Sequence, residues 1–141
     1  MLVFLSGAIN LHYKNNEMQK SIEWREYLSK ELEKLNIKCY NACENFDHII
    51  VNYTNSSLVK QNLYYLKNSD LTVVNLDNIL SSPGTIFELT YCYLNQKAVI
   101  SFGDYKEITS PHILSCIDEY LENEDAVIKY IKNLYNLKLR R

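Results

Sequence analysis

The chain has 141 residues, 47% of them hydrophobic, which is enough for one domain with a sizeable core. Its 15 basic and 17 acidic side chains leave a formal charge of -2 with no basic stripe, which argues against polymeric nucleic acid as a partner. The longest apolar runs, such as Ala98-Val99-Ile100, fall far short of a membrane span, and Met1–Ser6 lacks the charged flank and length of a signal peptide. A soluble, cytoplasmic protein without membrane contact is therefore expected.

Strand and helix periodicities alternate with no Pro/Gly/Ser-rich linker, repeat or low-complexity segment, so residues 1–141 read as one domain. Leu2–Ser6 is the first predicted strand. Glu17–Leu35 follows as a helix whose apolar stripe is Ile22, Tyr27, Leu28, Leu32 and Leu35. Ile37–Tyr40 reads as a second strand. A polar irregular stretch from Asn41 then leads through Ile49-Ile50-Val51 to a helix that begins near Ser56 and ends at Ser69-Asp70, with Leu58, Leu63 and Leu66 on its apolar side. Leu71–Leu76 is short, apolar and rich in β-branching, as a buried parallel strand should be. A helix from Ser82 to about Asn95 and a strand over Ala98–Phe102 come next. Ile113–Ile117 fits either a fifth strand or one more helical turn, and Glu122–Leu137 closes the domain as a helix. This alternation predicts an α/β fold, a parallel sheet flanked by helices on both faces. Ligands bind such sheets beyond the carboxyl ends of the strands, which singles out the loops after Ser6, Leu76 and Phe102.

Cys39, Cys43, Cys92 and Cys116 lie in or beside apolar segments and read as reduced core thiols. The Cys39/Cys43 spacing matches no metal template, and His12, His48 and His112 are far apart in sequence, so no metal site is expected.

Ser82-Pro83-Gly84-Thr85-Ile86-Phe87-Glu88 carries the most chemistry. Ser82 can cap a helix, Pro83 suits its first position, and Gly84 and Thr85 leave backbone N–H groups free to face an anion. Glu88 falls in the second turn on the face of Thr85 and Cys92, where the positive end of the helix dipole favours its ionised form. An ionised carboxylate beside an anion site is a candidate nucleophile. The plain alternative is a capped amphipathic helix with a solvated glutamate.

These segments together resemble the nucleoside 2-deoxyribosyltransferase superfamily. The matching pieces are Phe4-Leu5-Ser6-Gly7-Ala8-Ile9, then Gln61 to Val74, then Ser82 to Leu89 followed by Gln96 to Ile100, in the family's order and spacing to about Ile117. The resemblance implies a flavodoxin-like (Rossmann-like) single domain that cleaves the bond between a base and C1′ of a deoxyribose, with Glu88 as nucleophile. It also implies substrate contacts from Phe4, Ser6, Gly7, Ile9, Asp77, Ser82, Gly84, Thr85, Ser115 and Ile117. No cofactor is implied. Partners are a small nucleoside or nucleotide and a second copy of the chain, because neighbouring subunits of the family complete each other's sites.

Relatives that act on free nucleosides place an Asp six residues before the nucleophile and an Asn on a neighbouring subunit. This chain has Ser82 and Ser115 at those positions, the pattern of the family's deoxynucleoside 5′-monophosphate hydrolases. Two residues depart from the catalytic pattern. Phe4 stands where the family usually has a Tyr that hydrogen-bonds the nucleophile. Asn62 stands where an Asp serves as acid/base partner at the leaving base, and an amide delivers no proton at neutral pH. Slowed or altered chemistry, a binding protein derived from the enzyme, and a substitution introduced to trap a ligand all fit Asn62.

Among weaker candidates, Arg25 could reach a phosphate but fits a helix-surface arginine packed on Trp24, and His12 and Tyr13 could cover the base. The 12 tyrosines, with Tyr64, Tyr65, Tyr91 and Tyr93 on flanking helices, suit a core or a subunit interface. The expected activity is cleavage of a 2′-deoxynucleoside 5′-monophosphate. Base exchange on free deoxynucleosides and a nucleotide-binding module with impaired catalysis are the alternatives.

Overall fold

Alternate residues of the first strand part to opposite faces: Val3 and Leu5 join one core cluster, Phe4 the other. The computed structural model describes residues 1–135. The elements run Leu2–Ser6 (β1), Asn10–Lys14 (α1), Gln19–Glu33 (α2), Lys38–Asn41 (β2), Phe46–Asn52 (α3), Asn55–Lys67 (α4) and Leu71–Asn75 (β3). A 3₁₀ turn over Ile79–Ser81 leads into Pro83–Leu94 (α5), Val99–Phe102 (β4), Pro111–Leu114 (α6), Glu119–Tyr120 (β5) and Glu124–Leu134 (α7). The five strands form one wholly parallel sheet in the order β2-β1-β3-β4-β5, the flavodoxin-like order.

On one face α2 and α7 cover the sheet, with Leu28, Leu32, Val127 and Ile131 packed on Val3, Leu5, Leu71, Val73 and Ile100. On the other face α4, α5 and α6 place Leu66, Leu89, Cys92 and Ile113 against Phe4, Val74 and Val99. Both faces of β3 are buried over its whole length, as suits a central parallel strand that is apolar apart from Thr72 and Asn75. The chain turns to β2 on one side of β1 and to β4 on the other side of β3. The crevice between the carboxyl ends of β1 and β3 is thus the switch point of the sheet.

Several sequence-based expectations need correction. The buried face of α2 is Ser21, Trp24, Arg25, Leu28 and Leu32; Tyr27 from the expected stripe is exposed and Ile22 half-buried. Residues 46–52, expected to be irregular, form α3, and the loop after β1 contains α1. The fifth strand is the exposed pair Glu119–Tyr120; of the two readings left open for Ile113–Ile117, the helical turn is the one found, in Pro111–Leu114. Residues 136 and 137 of the predicted last helix lie outside the described residues. No helix among the described residues is long and apolar enough to cross a membrane.

Candidate active site

The start of α5 faces the switch point. Ser82 occupies the cap position and Pro83 the first helical position, but the Ser82 hydroxyl does not cap a backbone N–H as expected. It bonds the Thr85 hydroxyl at 2.6 Å, and both residues are buried. The Ile86 N–H donates to the Ser82 carbonyl at 3.2 Å, so Gly84 and Thr85 fall in the first turn, where helical N–H groups lack intrahelical acceptors.

Glu88 lies one turn further along. Ser6, the last residue of β1, donates its hydroxyl to Glu88 Oε1 at 2.9 Å. Burial pushes the Glu88 carboxyl up to about 7, against the opposite pulls of the Ser6 hydroxyl and the Arg25 guanidinium. This corrects the expectation from the helix dipole: removal from water outweighs the positive end of α5. Near neutral pH the group is poised between protonated and ionised forms, as suits a nucleophile or acid/base group.

Arg25 is the second unexpected feature. It does pack over the Trp24 ring, at 4.4 Å, but it is buried rather than on the helix surface. Nη1 donates to the Ser21 carbonyl at 2.7 Å and Nη2 to the Gly7 carbonyl at 3.0 Å, and Nε has no hydrogen-bond partner among the described residues.

Tyr40 in β2, unlike Glu88 and Arg25, was not singled out by the sequence. Register places it beside Phe4, and its ring stacks between Phe4 at 5.1 Å and Tyr65 at 4.3 Å. Its hydroxyl donates to Asn62 Oδ1 at 2.7 Å, so the Asn62 amide nitrogen keeps both its hydrogens for other acceptors. Burial, then the nearby Glu88 charge, push the Tyr40 phenol up to about 12, so it stays protonated.

Glu88, Arg25, Asn62, Ser82 and Thr85 border a cavity of about 390 Å³, within the range of small-ligand pockets. Its polar lining includes Asn10, Arg25, Asn62, Ser81, Ser82, Thr85 and Glu88, with the backbones of Gly7 and Gly84. Leu11, Phe46, Leu58, Val59, Leu63 and Phe87 supply an apolar wall. Of the sequence-based candidates, Gly7, Ile9, Asn62, Ser82, Gly84, Thr85 and Glu88 line this one cavity, and Ser6 stands behind Glu88. Gly7 is required sterically, because a Cβ there would lie 2.9 Å from Trp24 Cζ2.

Other candidates lie elsewhere. Phe4 and Ile117 are buried in the core of their own chain. Ser115 is exposed at the end of α6, donating to the Pro111 carbonyl at 2.6 Å. Asp77 borders a separate recess with His12, Trp24 and Asn75, and its carboxylate accepts the Asp104 N–H at 2.8 Å. His12 is held there by Ser21 at 2.6 Å, while Tyr13 is exposed and packs edge-on against Phe46. Asp70 lies at the opposite end of the sheet, accepting the Leu2 N–H at 2.7 Å.

A parallel α/β sheet with a recessed carboxylate and a helix N-terminus in one cavity at its switch point defines a class of ligand-binding, enzyme-like domain. Residues 1–105 match the family described as nucleoside 2-deoxyribosyltransferase like, and the chain belongs to that family. No curated protein matches the chain. Among solved structures it is similar to a 2-deoxyribosyltransferase of the psychrotolerant bacterium Bacillus psychrosaccharolyticus, with 20% identity over 92% of each chain and a TM-score of 0.70. It is also similar to the CMP N-glycosidase BcmB of Clostridium botulinum, with 21% identity over 96% of this chain and 99% of that one and a TM-score of 0.63. A conserved protein of Enterococcus faecalis V583 shares 17% identity over 94% of this chain and 98% of that one, with a TM-score of 0.66. At these identities the similarity bears on the fold.

Proposed function

We propose that the protein hydrolyses the N-glycosidic bond of 2′-deoxynucleoside 5′-monophosphates through a glycosyl-enzyme intermediate on Glu88. The observation that carries this reading is the meeting, in one cavity, of Glu88 with the first turn of α5. An ionised Glu88 oxygen attacks C1′ of the sugar. The C1′–N bond breaks, and its electron pair leaves with the base, to which the Asn62 amide donates a hydrogen bond. Water then attacks C1′ of the ester, its proton passes to the departed base, and Glu88 is freed as a carboxylate, so two displacements retain configuration. The N–H groups of Gly84 and Thr85 and the hydroxyl of Ser82 receive the 5′-phosphate.

Ser115 does not line its own chain's cavity, so in this reading it serves a neighbouring copy. Exposed Tyr64, Phe87, Tyr93 and Leu94 on α4 and α5 offer apolar surface for that contact. The setting that suits the substrate is the cytoplasm.

The test is incubation with a panel of deoxynucleotides and deoxynucleosides, with and without a second base, for wild type and Glu88→Ala. Release of free base from a monophosphate, absent in a Glu88→Ala protein of unchanged circular dichroism, is the expected result. Transfer to the second base would favour a transferase, and cleavage surviving in the variant would remove Glu88 from its role.

A further inference from the structure

Helix α2 reaches the loop after β1 with two side chains. The Ser21 hydroxyl donates to the Ala8 carbonyl at 2.7 Å and Arg25 Nη2 to the Gly7 carbonyl at 3.0 Å, so consecutive carbonyls are drawn to one helix. The residue before them is Ser6, whose hydroxyl holds Glu88. The loop sits so close to α2 that Gly7 has no room for a Cβ against Trp24.

The guanidinium doing this is 1% exposed, and burial lowers its pKa from the usual arginine value, so its positive charge is held at a cost. A buried charge is costly without a counter-charge, and the ion pairs among the described residues, Lys20–Glu17 and Lys34–Glu31, lie elsewhere on the surface. Ser6 from β1 bonds Glu88, Arg25 from α2 lines the same cavity as Glu88, and Tyr40 from β2 and Cys92 on the same helix lie near enough to feel its charge. The Tyr40 phenol and Cys92 thiol are both pushed upward, mainly by burial, and stay neutral. The Cys43 thiol beside Arg25 is likewise raised by burial. Arg25 is the cation of this group.

We propose that Arg25 is a positioning residue for Glu88: it braces the Ser6-Gly7 loop that orients the carboxylate, and it supplies the counter-charge to the ionised form. The catalytic part of this role rests on Glu88 being the nucleophile; the structural and electrostatic part does not.

The test titrates Glu88 by NMR of ¹³C-labelled glutamate side chains, assigned with Glu88→Gln, together with the ¹⁵Nε resonance of Arg25. In the wild type the Arg25 resonance should shift with the Glu88 midpoint, and that shift should vanish in Glu88→Gln. A flat Arg25 resonance overturns the proposal without any Arg25 variant having to fold. Arg25→Met should raise the Glu88 midpoint by about one unit or more. An unchanged midpoint in a folded variant overturns the counter-charge. Arg25→Lys keeps the charge but cannot fork between two carbonyls. Its kcat at a pH where Glu88 is ionised should fall by about tenfold or more. A wild-type kcat there overturns the bracing. If the wild type cleaves nothing in the substrate panel, the proposed function fails while the titrations still decide the role of Arg25.

Discussion

The Ser6 hydroxyl donates to Glu88 Oε1 at 2.9 Å and joins the end of β1 to the second turn of α5 across 82 positions of sequence. One hydrogen bond thus ties the two sides of the sheet's switch point. It favours the ionised carboxylate, burial favours the neutral one, and burial prevails, leaving Glu88 at about 7.

The pH dependence follows from that balance. If the ionised form is the nucleophile, kcat/KM should rise about tenfold per unit below the Glu88 midpoint and level off above it. Stability should move the other way. The folded carboxyl holds its proton up to about 7 whereas the free value is 4.5, so between these pH values the native state binds more protons and stability falls as pH rises. Glu88→Gln removes the penalty and should stabilise the fold above pH 7 by up to about 3 kcal/mol, with little effect near pH 4. Urea unfolding of both proteins at several pH values checks this; a difference independent of pH would place Glu88 in ordinary solvent.

The fold was legible because its central strands are short, mostly apolar and rich in β-branched residues, and the head of α5 was legible because Ser-Pro-Gly punctuates it. What escaped lies where that punctuation is missing. Around α1 and α3 the chain turns at Asn16 and Asn45, with φ of 57° and 59°; asparagine tolerates this left-handed geometry without announcing a turn as glycine would. β5 has two exposed residues and no apolar signal. Arg25 reads as a surface residue because its burial depends on carbonyls contributed by its own helix and by a distant loop. Tyr40 reaches the site through the β1–β2 register alone, and a parallel register is not written in either strand's own sequence.

Asn62→Asp should raise turnover of a true substrate by about tenfold or more, since a carboxyl can shuttle a proton to the leaving base and an amide cannot. The geometry is ready for it: Tyr40 already donates at 2.7 Å to the oxygen that an aspartate would retain. Steady-state kinetics across the substrate panel decides the point. If no substrate gains, the proton comes from another group or no leaving base needs one.

Gly84 separates folding from binding. It stands in the first turn of α5 with no atom within 4 Å of where a Cβ would go, and it borders the cavity. Gly84→Ala should therefore stabilise the free protein by about 0.5 kcal/mol. It should also crowd an anion against the first-turn N–H groups and weaken deoxynucleotide binding by about 10-fold or more. Thermal unfolding and calorimetric titration together test this. Unchanged affinity would move the phosphate away from the head of α5.

Ser82 should set the choice between a 5′-phosphate and a free 5′-hydroxyl. It is buried beside Thr85 at the head of α5, where a hydroxyl can donate to phosphate. Wild type should bind a deoxynucleoside 5′-monophosphate more tightly than the matching nucleoside. Aspartate is itself a good cap residue, so Ser82→Asp should keep α5 in place while changing the charge. A carboxylate 4 Å from phosphate is repelled by about 1 kcal/mol in water and by about 4 kcal/mol at the screening typical of a protein surface. It would still accept a hydrogen bond from a 5′-hydroxyl. The preference should therefore invert. Calorimetric titration of both proteins with both ligands measures it: equal affinities in the wild type, or a variant that still prefers the monophosphate, would shift the reading to base exchange on free deoxynucleosides.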